Sequence, residues 1–184
     1  MTRYVALLRG INVGGKNAVP MPALKAAFEG AGFEDVLTYI QSGNVLFSAP
    51  SSSQAELTRR LEGLIRKAFA HYDASVVLRS RSQMRTVVEK RPKGFGSEPA
   101  TYRYDVLFLK PSLPAKEVLA VAQPKEGVDR IWAGTGVVYF SRLTSRATSS
   151  RLSKLISLPI YKNMTIRNWN TTAKLRELLE ADPA

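Results

Sequence analysis

Arg9-Gly10-Ile11-Asn12-Val13-Gly14-Gly15-Lys16-Asn17 sets three glycines between two cations and two carboxamides, directly after the apolar run Tyr4 to Leu8. Glycine lets a backbone approach a ligand closely and take positive φ. Consecutive N–H groups in such a loop form a concave anion site. In this reading Arg9 and Lys16 supply charge, Asn12 orients the ligand, and Gly10, Gly14 and Gly15 line a phosphate or carboxylate cradle. The spacing also approaches a P-loop: Gly10, four residues, Gly15, Lys16. Asn17 stands where a P-loop has the Ser or Thr whose hydroxyl holds Mg²⁺, and Ala18-Val19-Pro20 delays the helix that should follow the lysine. The pattern argues against an NTPase and for anion capture without magnesium. The competing explanation is a tight strand-to-helix crossover that uses glycine for geometry alone.

Two other segments carry polar side chains in unusual density. Gln41-Ser42-Gly43-Asn44 is a hairpin tip, where turns favour these residue types for local reasons. Ser42 and Asn44 gain a ligand role only if the tip lies beside the glycine loop. Thr165-Ile166-Arg167-Asn168-Trp169-Asn170-Thr171-Thr172 precedes a helix start, where N–H groups and the dipole favour anions. Arg167, Asn168 and Asn170 would complete an anion pocket, whereas the bland role for Asn170 or Thr171 is capping and for Trp169 core filling.

The charge balance supports an anionic partner. Lys+Arg is 27 against Asp+Glu 15, a net +12 over 184 residues. Such an excess attracts nucleic acid, nucleotides or anionic lipid. Between Asp129 and Glu177 the basic residues Arg130, Arg142, Arg146, Arg151, Lys154, Lys162, Arg167 and Lys174 occur with no acidic one. Ser141 to Arg151 interleaves arginine with hydroxyls, as phosphate-backbone contacts require and as a basic loop without ligand also does. Phe95, Tyr102 and Tyr104, near Arg91, Lys93 and Arg103, offer stacking faces or buried strand aromatics.

Catalytic signals are sparse. With no cysteine there are no disulfides and no thiolate ligands, and a single histidine, His71, is a surface or capping residue rather than half of a relay. No Gly-x-Ser-x-Gly elbow and no carboxylate dyad stand out. The chain is expected to need no cofactor and no metal. No apolar run approaches the roughly 20 residues of a membrane helix, and Met1-Thr2-Arg3 leads straight into a strand without a signal-peptide pattern. A cytoplasmic location and no membrane partner are expected.

Hydrophobic periodicity supplies the elements that must position these residues. In the first half, Tyr4 to Leu8 is a strand and a helix opens at Met21-Pro22 with Leu24, Ala27, Phe28 and Ala31 on one face. Val36 to Gln41 and Val45 to Ser48 form a hairpin. Ser53-Gln54-Ala55-Glu56 caps a helix with Leu57, Leu61, Leu64, Ile65 and Ala68 inward. A strand from Ser75 to Arg79 and a short helix carrying Met84, Val87 and Val88 follow.

After a Pro/Gly-rich segment the order begins again. Tyr104 to Lys110 is a strand, Pro114 to Ala122 a helix, and Asp129 to Ala133 with Val137 to Phe140 a second hairpin. Leu152, Leu155 and Ile156 form a helical stripe, Met164 to Arg167 a last strand, and Thr171 or Thr172 caps a closing helix with Leu175, Leu178 and Leu179 inside. The expected fold class is α+β: two ferredoxin-like (β-α-β-β-α-β) subdomains in tandem with mainly antiparallel sheets. Their boundaries are read as 1–90, a linker at 91–101, and 102–184.

Three stretches resemble a bacterial family known as domain of unknown function 1697: Tyr4 to Asn17, Thr38-Tyr39-Ile40-Gln41-Ser42-Gly43-Asn44-Val45, and Thr165 to Leu175. The similarity spans nearly the whole chain. It implies a two-part α+β protein with ferredoxin-like subdomains and no established activity. The leading expectation is a metal-independent binder of nucleic acid or a phosphorylated small molecule. The alternatives are an enzyme acting on a small anionic metabolite, and an interaction module that dimerises through an exposed sheet edge.

Overall fold

The computed structural model describes residues 1–13, 15 and 18–181. Two compact units divide the chain: Met1–Met84 together with the chain from Leu175 on, and Arg85–Lys174. Unit 1 runs β1 (Thr2–Leu8), α1 (Met21–Gly30), β2 (Glu34–Tyr39), β3 (Asn44–Ala49), α2 (Gln54–Ala68), β4 (Val76–Ser80) and the start of α3 (Arg81–Glu89). Unit 2 runs β5 (Tyr102–Leu109), α4 (Ala115–Val121), β6 (Asp129–Gly134), β7 (Val137–Leu143), α5 (Leu152–Ser157), β8 (Met164–Asn168) and the start of α6 (Trp169–Glu180). The sheet orders are β2-β3-β1-β4 and β6-β7-β5-β8, with every neighbour antiparallel. Each is the split ferredoxin-like arrangement, so the protein is α+β with that unit in tandem.

In unit 1 the strand alternation sends Tyr4, Ala6 and Leu8, with Phe47 and Leu78, against Leu24 and Phe28 of α1 and Leu57, Leu61 and Ile65 of α2. Phe28, Phe33 and Phe47 form an aromatic trio with centroids 4.9–5.6 Å apart. Burying a ring of this kind contributes roughly 1.5–3 kcal/mol. The Ser53 hydroxyl accepts from the Glu56 N–H at 3.2 Å and fixes the start of α2. Asp35, at φ +51°, marks a bulge where the β2–β3 register shifts between Glu34 and Leu37. The Arg3 guanidinium donates to the carbonyls of Leu178, at 3.2 Å, and Ala181, placing a cation at the end of α6.

Unit 2 packs Leu107, Leu109, Val138, Phe140 and Met164 against Val118, Leu152 and Leu155. Three expectations are corrected here. Ile156 is exposed, and Leu152 and Leu155 alone carry the contact of α5 with the core. Neither Thr171 nor Thr172 caps α6: the Asn168 carboxamide oxygen accepts from the Thr171 N–H at 2.8 Å. The basic stretch Ser141 to Arg151 is not a plain loop, since β7 continues to Leu143 and Thr144–Ser149 winds as a 3-10 helix.

The units repeat in detail as well as in order. Leu8 N–H donates to the Gly43 carbonyl at 2.9 Å, and Leu109 N–H to that of Gly136 at 3.0 Å. Arg9 N–H meets Ser75 O at 3.0 Å, and Lys110 N–H meets Asn163 O at 2.8 Å. Arg79 stands opposite Val5 and Arg167 opposite Val106.

Tyr139 ties β7 to α3. Its buried hydroxyl donates to the Val87 carbonyl at 2.6 Å, and burial pushes its pKa up to about 12, with Arg91 opposing. The protonated phenol is favoured in the fold, so its contribution is intact below about pH 10. It is lost as pH rises from 10 toward 12, where the unfolded chain ionises first. Arg79, its pKa lowered by burial, shifts stability the other way over the same window, so the test is the difference: in urea unfolding from about pH 10 to 12 the wild type should lose stability relative to Tyr139→Phe.

Candidate functional site

The connection from β1 to α1 coils through positive φ at Gly10 (+67°), Asn12 (+53°) and Gly15 (+72°). Gly14, Lys16 and Asn17 lie outside the described residues. Ile11, 1% exposed, anchors the loop in the core, while Val13 is 65% exposed. The Asn12 carboxamide is engaged at both ends: its oxygen accepts from Val19 N–H at 2.8 Å, and its nitrogen donates to Val19 O at 3.0 Å and Gln41 O at 2.8 Å. Residues after α2 hold the loop as well. Tyr72 donates its hydroxyl to Arg9 O at 2.5 Å, and His71 Nε2 lies 2.9 Å from Ala18 O. His71 thus meets a specific partner in the loop.

The hairpin tip lies beside this loop, as its functional reading requires. Gly43, at φ +76°, packs so closely that a Cβ there would stand 2.5 Å from Ile11 Cδ1 and 2.9 Å from Leu8 Cβ. Asn44 is fully buried and donates to Tyr39 O at 2.9 Å and Ser42 Oγ at 3.0 Å, so its carboxamide holds the hairpin. Ile40 takes φ +50° while exposed, a conformation that strains a β-branched residue by about 1–3 kcal/mol. Arg9, half-buried at the start of the loop, has a buried Nε that lacks a hydrogen-bond partner.

Arg167, Asn168 and Asn170 belong to unit 2. Arg167 is buried and donates to Thr165 Oγ1 at 2.9 Å and Ile166 O at 2.7 Å, while exposed Asn168 caps α6. Its counterpart in unit 1, Arg79, is pushed down to about 10 by burial, remains a cation at neutral pH, and donates to Leu78 O at 2.8 Å. Asn170 lines a cleft of about 370 Å³ with Tyr102, Arg103, Asp105, Arg142 and Trp169.

The Pro/Gly-rich segment shapes that cleft. Phe95 is buried among Tyr104, Trp132, Tyr139 and Trp169, all edge-on with centroids 4.9–5.9 Å away. Gly96, at φ +86°, abuts the indole so tightly that a Cβ would stand 2.4 Å from Trp169 Nε1. Asp105 is the residue that sequence reasoning passed over. Burial pushes its carboxyl above the usual range, against the pull of Arg142 and Arg103. Its only signal was an acidic residue inside the strand run Tyr102 to Leu109.

Among the described residues no group of three His, Asp or Glu could hold a metal ion, and no helix is long and apolar enough to cross a membrane. The fold is that of a tandem ferredoxin-like protein. The chain belongs to the family described as "Protein of unknown function (DUF1697)", whose profile matches residues 1–139. It is similar to the conserved bacterial protein SP0830 from Streptococcus pneumoniae: 30% identity over 97% of this chain and 99% of that one, with a TM-score of 0.84. No curated protein matches the sequence.

Proposed function

We propose that the protein is a cytoplasmic binder of phosphate-bearing ligands, nucleic acid foremost, and that the β1–α1 loop is its phosphate contact. One observation carries this reading: the same connection in the two repeats differs in length. Five residues, 110–114, join β5 to α4, whereas twelve, 9–20, join β1 to α1. A crossover of this kind closes in about 2–6 residues, so geometry alone does not account for the longer loop. Its described residues are fastened by Asn12, Tyr72 and His71. The Arg9 side chain has no hydrogen bond or ion pair among the described residues, and the chain carries +12.

The test is fluorescence anisotropy with short RNA and DNA oligonucleotides at low salt. Binding is expected, and replacing Arg9 and Lys16 by alanine should lower the salt slope by about 0.7–1 unit each. Absence of binding at low salt overturns the proposal.

A further inference from the structure

We propose that the cleft of unit 2 receives one unpaired base of a single-stranded nucleic acid, with Arg142 as donor and Asp105 as acceptor to its edge; this rests on the nucleic-acid reading above. The register supplies the geometry. β8 ends opposite Asp105, at Asn168, so β5 runs on through Tyr104, Arg103 and Tyr102 without that neighbour. Across the β5–β7 pair, Arg103 stands directly opposite Arg142. Like charges in that relation repel, with Asp105 beside them on β5 and Asp129 opposite Arg142 on β6.

The Asp105–Arg142 pair is itself incomplete. Its N···O separation is 3.4 Å, longer than a charge-assisted hydrogen bond. Asp105 Oδ2 and Arg142 Nε are both buried without a hydrogen-bond partner. A buried acceptor beside a buried donor, both unsatisfied, matches a ligand that presents a donor next to an acceptor. The hydrogen-bonding edge of every nucleobase does so, and in a duplex that edge is occupied by the opposite strand. Half-buried Trp169, its indole fixed by Phe95 and Gly96, offers the cleft a stacking surface, while Tyr102 and Tyr104 border it from the opposite face of β5. Exposed Arg103 and Asn170 at the rim are placed for the adjoining phosphate. The cleft volume falls in the range of small-ligand sites.

Electrostatics alone favours the duplex, whose charge density is higher, so strand preference is diagnostic. The full-length protein is titrated with a labelled oligonucleotide, single-stranded and as its duplex, at one salt concentration. The single strand should bind about tenfold tighter or more, quench Trp169 fluorescence in a Trp132→Phe background, and resist competition by a free α-amino acid. Asp105→Asn, checked for folding by circular dichroism, should abolish the preference, and Arg103→Gln should weaken both forms alike. Equal or tighter duplex binding by the wild type overturns the inference but leaves the nucleic-acid reading standing; so does an unchanged preference in folded Asp105→Asn. Displacement by the amino acid does the same. No binding of either form removes both.

Discussion

Gly43→Ala should lower stability by about 3 kcal/mol, from two separable causes. The backbone at φ +76° disfavours any L side chain, and the new methyl would meet Ile11 Cδ1 at 2.5 Å and Leu8 Cβ at 2.9 Å. Neither neighbour can retreat easily, because Ile11 and Leu8 are themselves buried in the unit 1 core. Gly10→Ala separates the two causes. Gly10 has a similar φ, +67°, but a methyl there would meet no atom within 4 Å, so it should cost only about 1 kcal/mol. Thermal denaturation checks the pair: a fall of about 10 °C for Gly43→Ala, against a few degrees for Gly10→Ala. Equal shifts would mean that the close approach of hairpin tip and loop contributes nothing.

Asn12→Ala should cost about 2–3 kcal/mol. It leaves the N–H of buried Val19 without its acceptor and the carbonyls of Val19 and Gln41 without their donor. Asn12→Asp is nearly isosteric and keeps the acceptor for Val19 N–H, but turns a carboxylate toward two carbonyl oxygens, so it should not rescue. Urea unfolding gives the stabilities, and amide exchange at Val19 reports the loop directly. Oligonucleotide affinity should fall by about tenfold in either variant while circular dichroism stays native, since the loop and not the sheet is released. Unchanged exchange at Val19 would contradict this role.

The elements were legible because their patterns are strong. The short apolar runs of β1 and β3, buried on both faces, and the Leu57, Leu61, Ile65 stripe mark strand and helix, and the two hairpin glycines mark the turns. Short elements were read less well. In α5 a stripe of three apolar residues does not reveal which one the brief helix leaves outside, and Ile156 is that one. The cap of α6 was missed because Asn168, Asn170, Thr171 and Thr172 are all competent capping residues, and only the end of β8 selects Asn168.

At the candidate site, residue types pointed to the loop and tip but not to their division of labour. Asn12 binds a carbonyl 29 positions away, and Gly43 packs on a residue of the preceding loop. Neither relation has a local signature. The cleft of unit 2 depends on strand register: Arg103 faces Arg142, with Asp105 paired to the latter, only once β5 and β7 are aligned.

A +12 chain whose Arg9 side chain has no partner among the described residues should meet phosphate, and on that the functional reading turns. Affinity for a short single-stranded RNA, measured from about 50 to 200 mM salt, tests it most directly. The logarithm of the binding constant should fall linearly with the logarithm of salt, at about 0.7 per phosphate neutralised. The slope should shrink by about 1.4 when both Arg9 and Lys16 are removed. A binding constant indifferent to salt, or a slope indifferent to that double substitution, would contradict it.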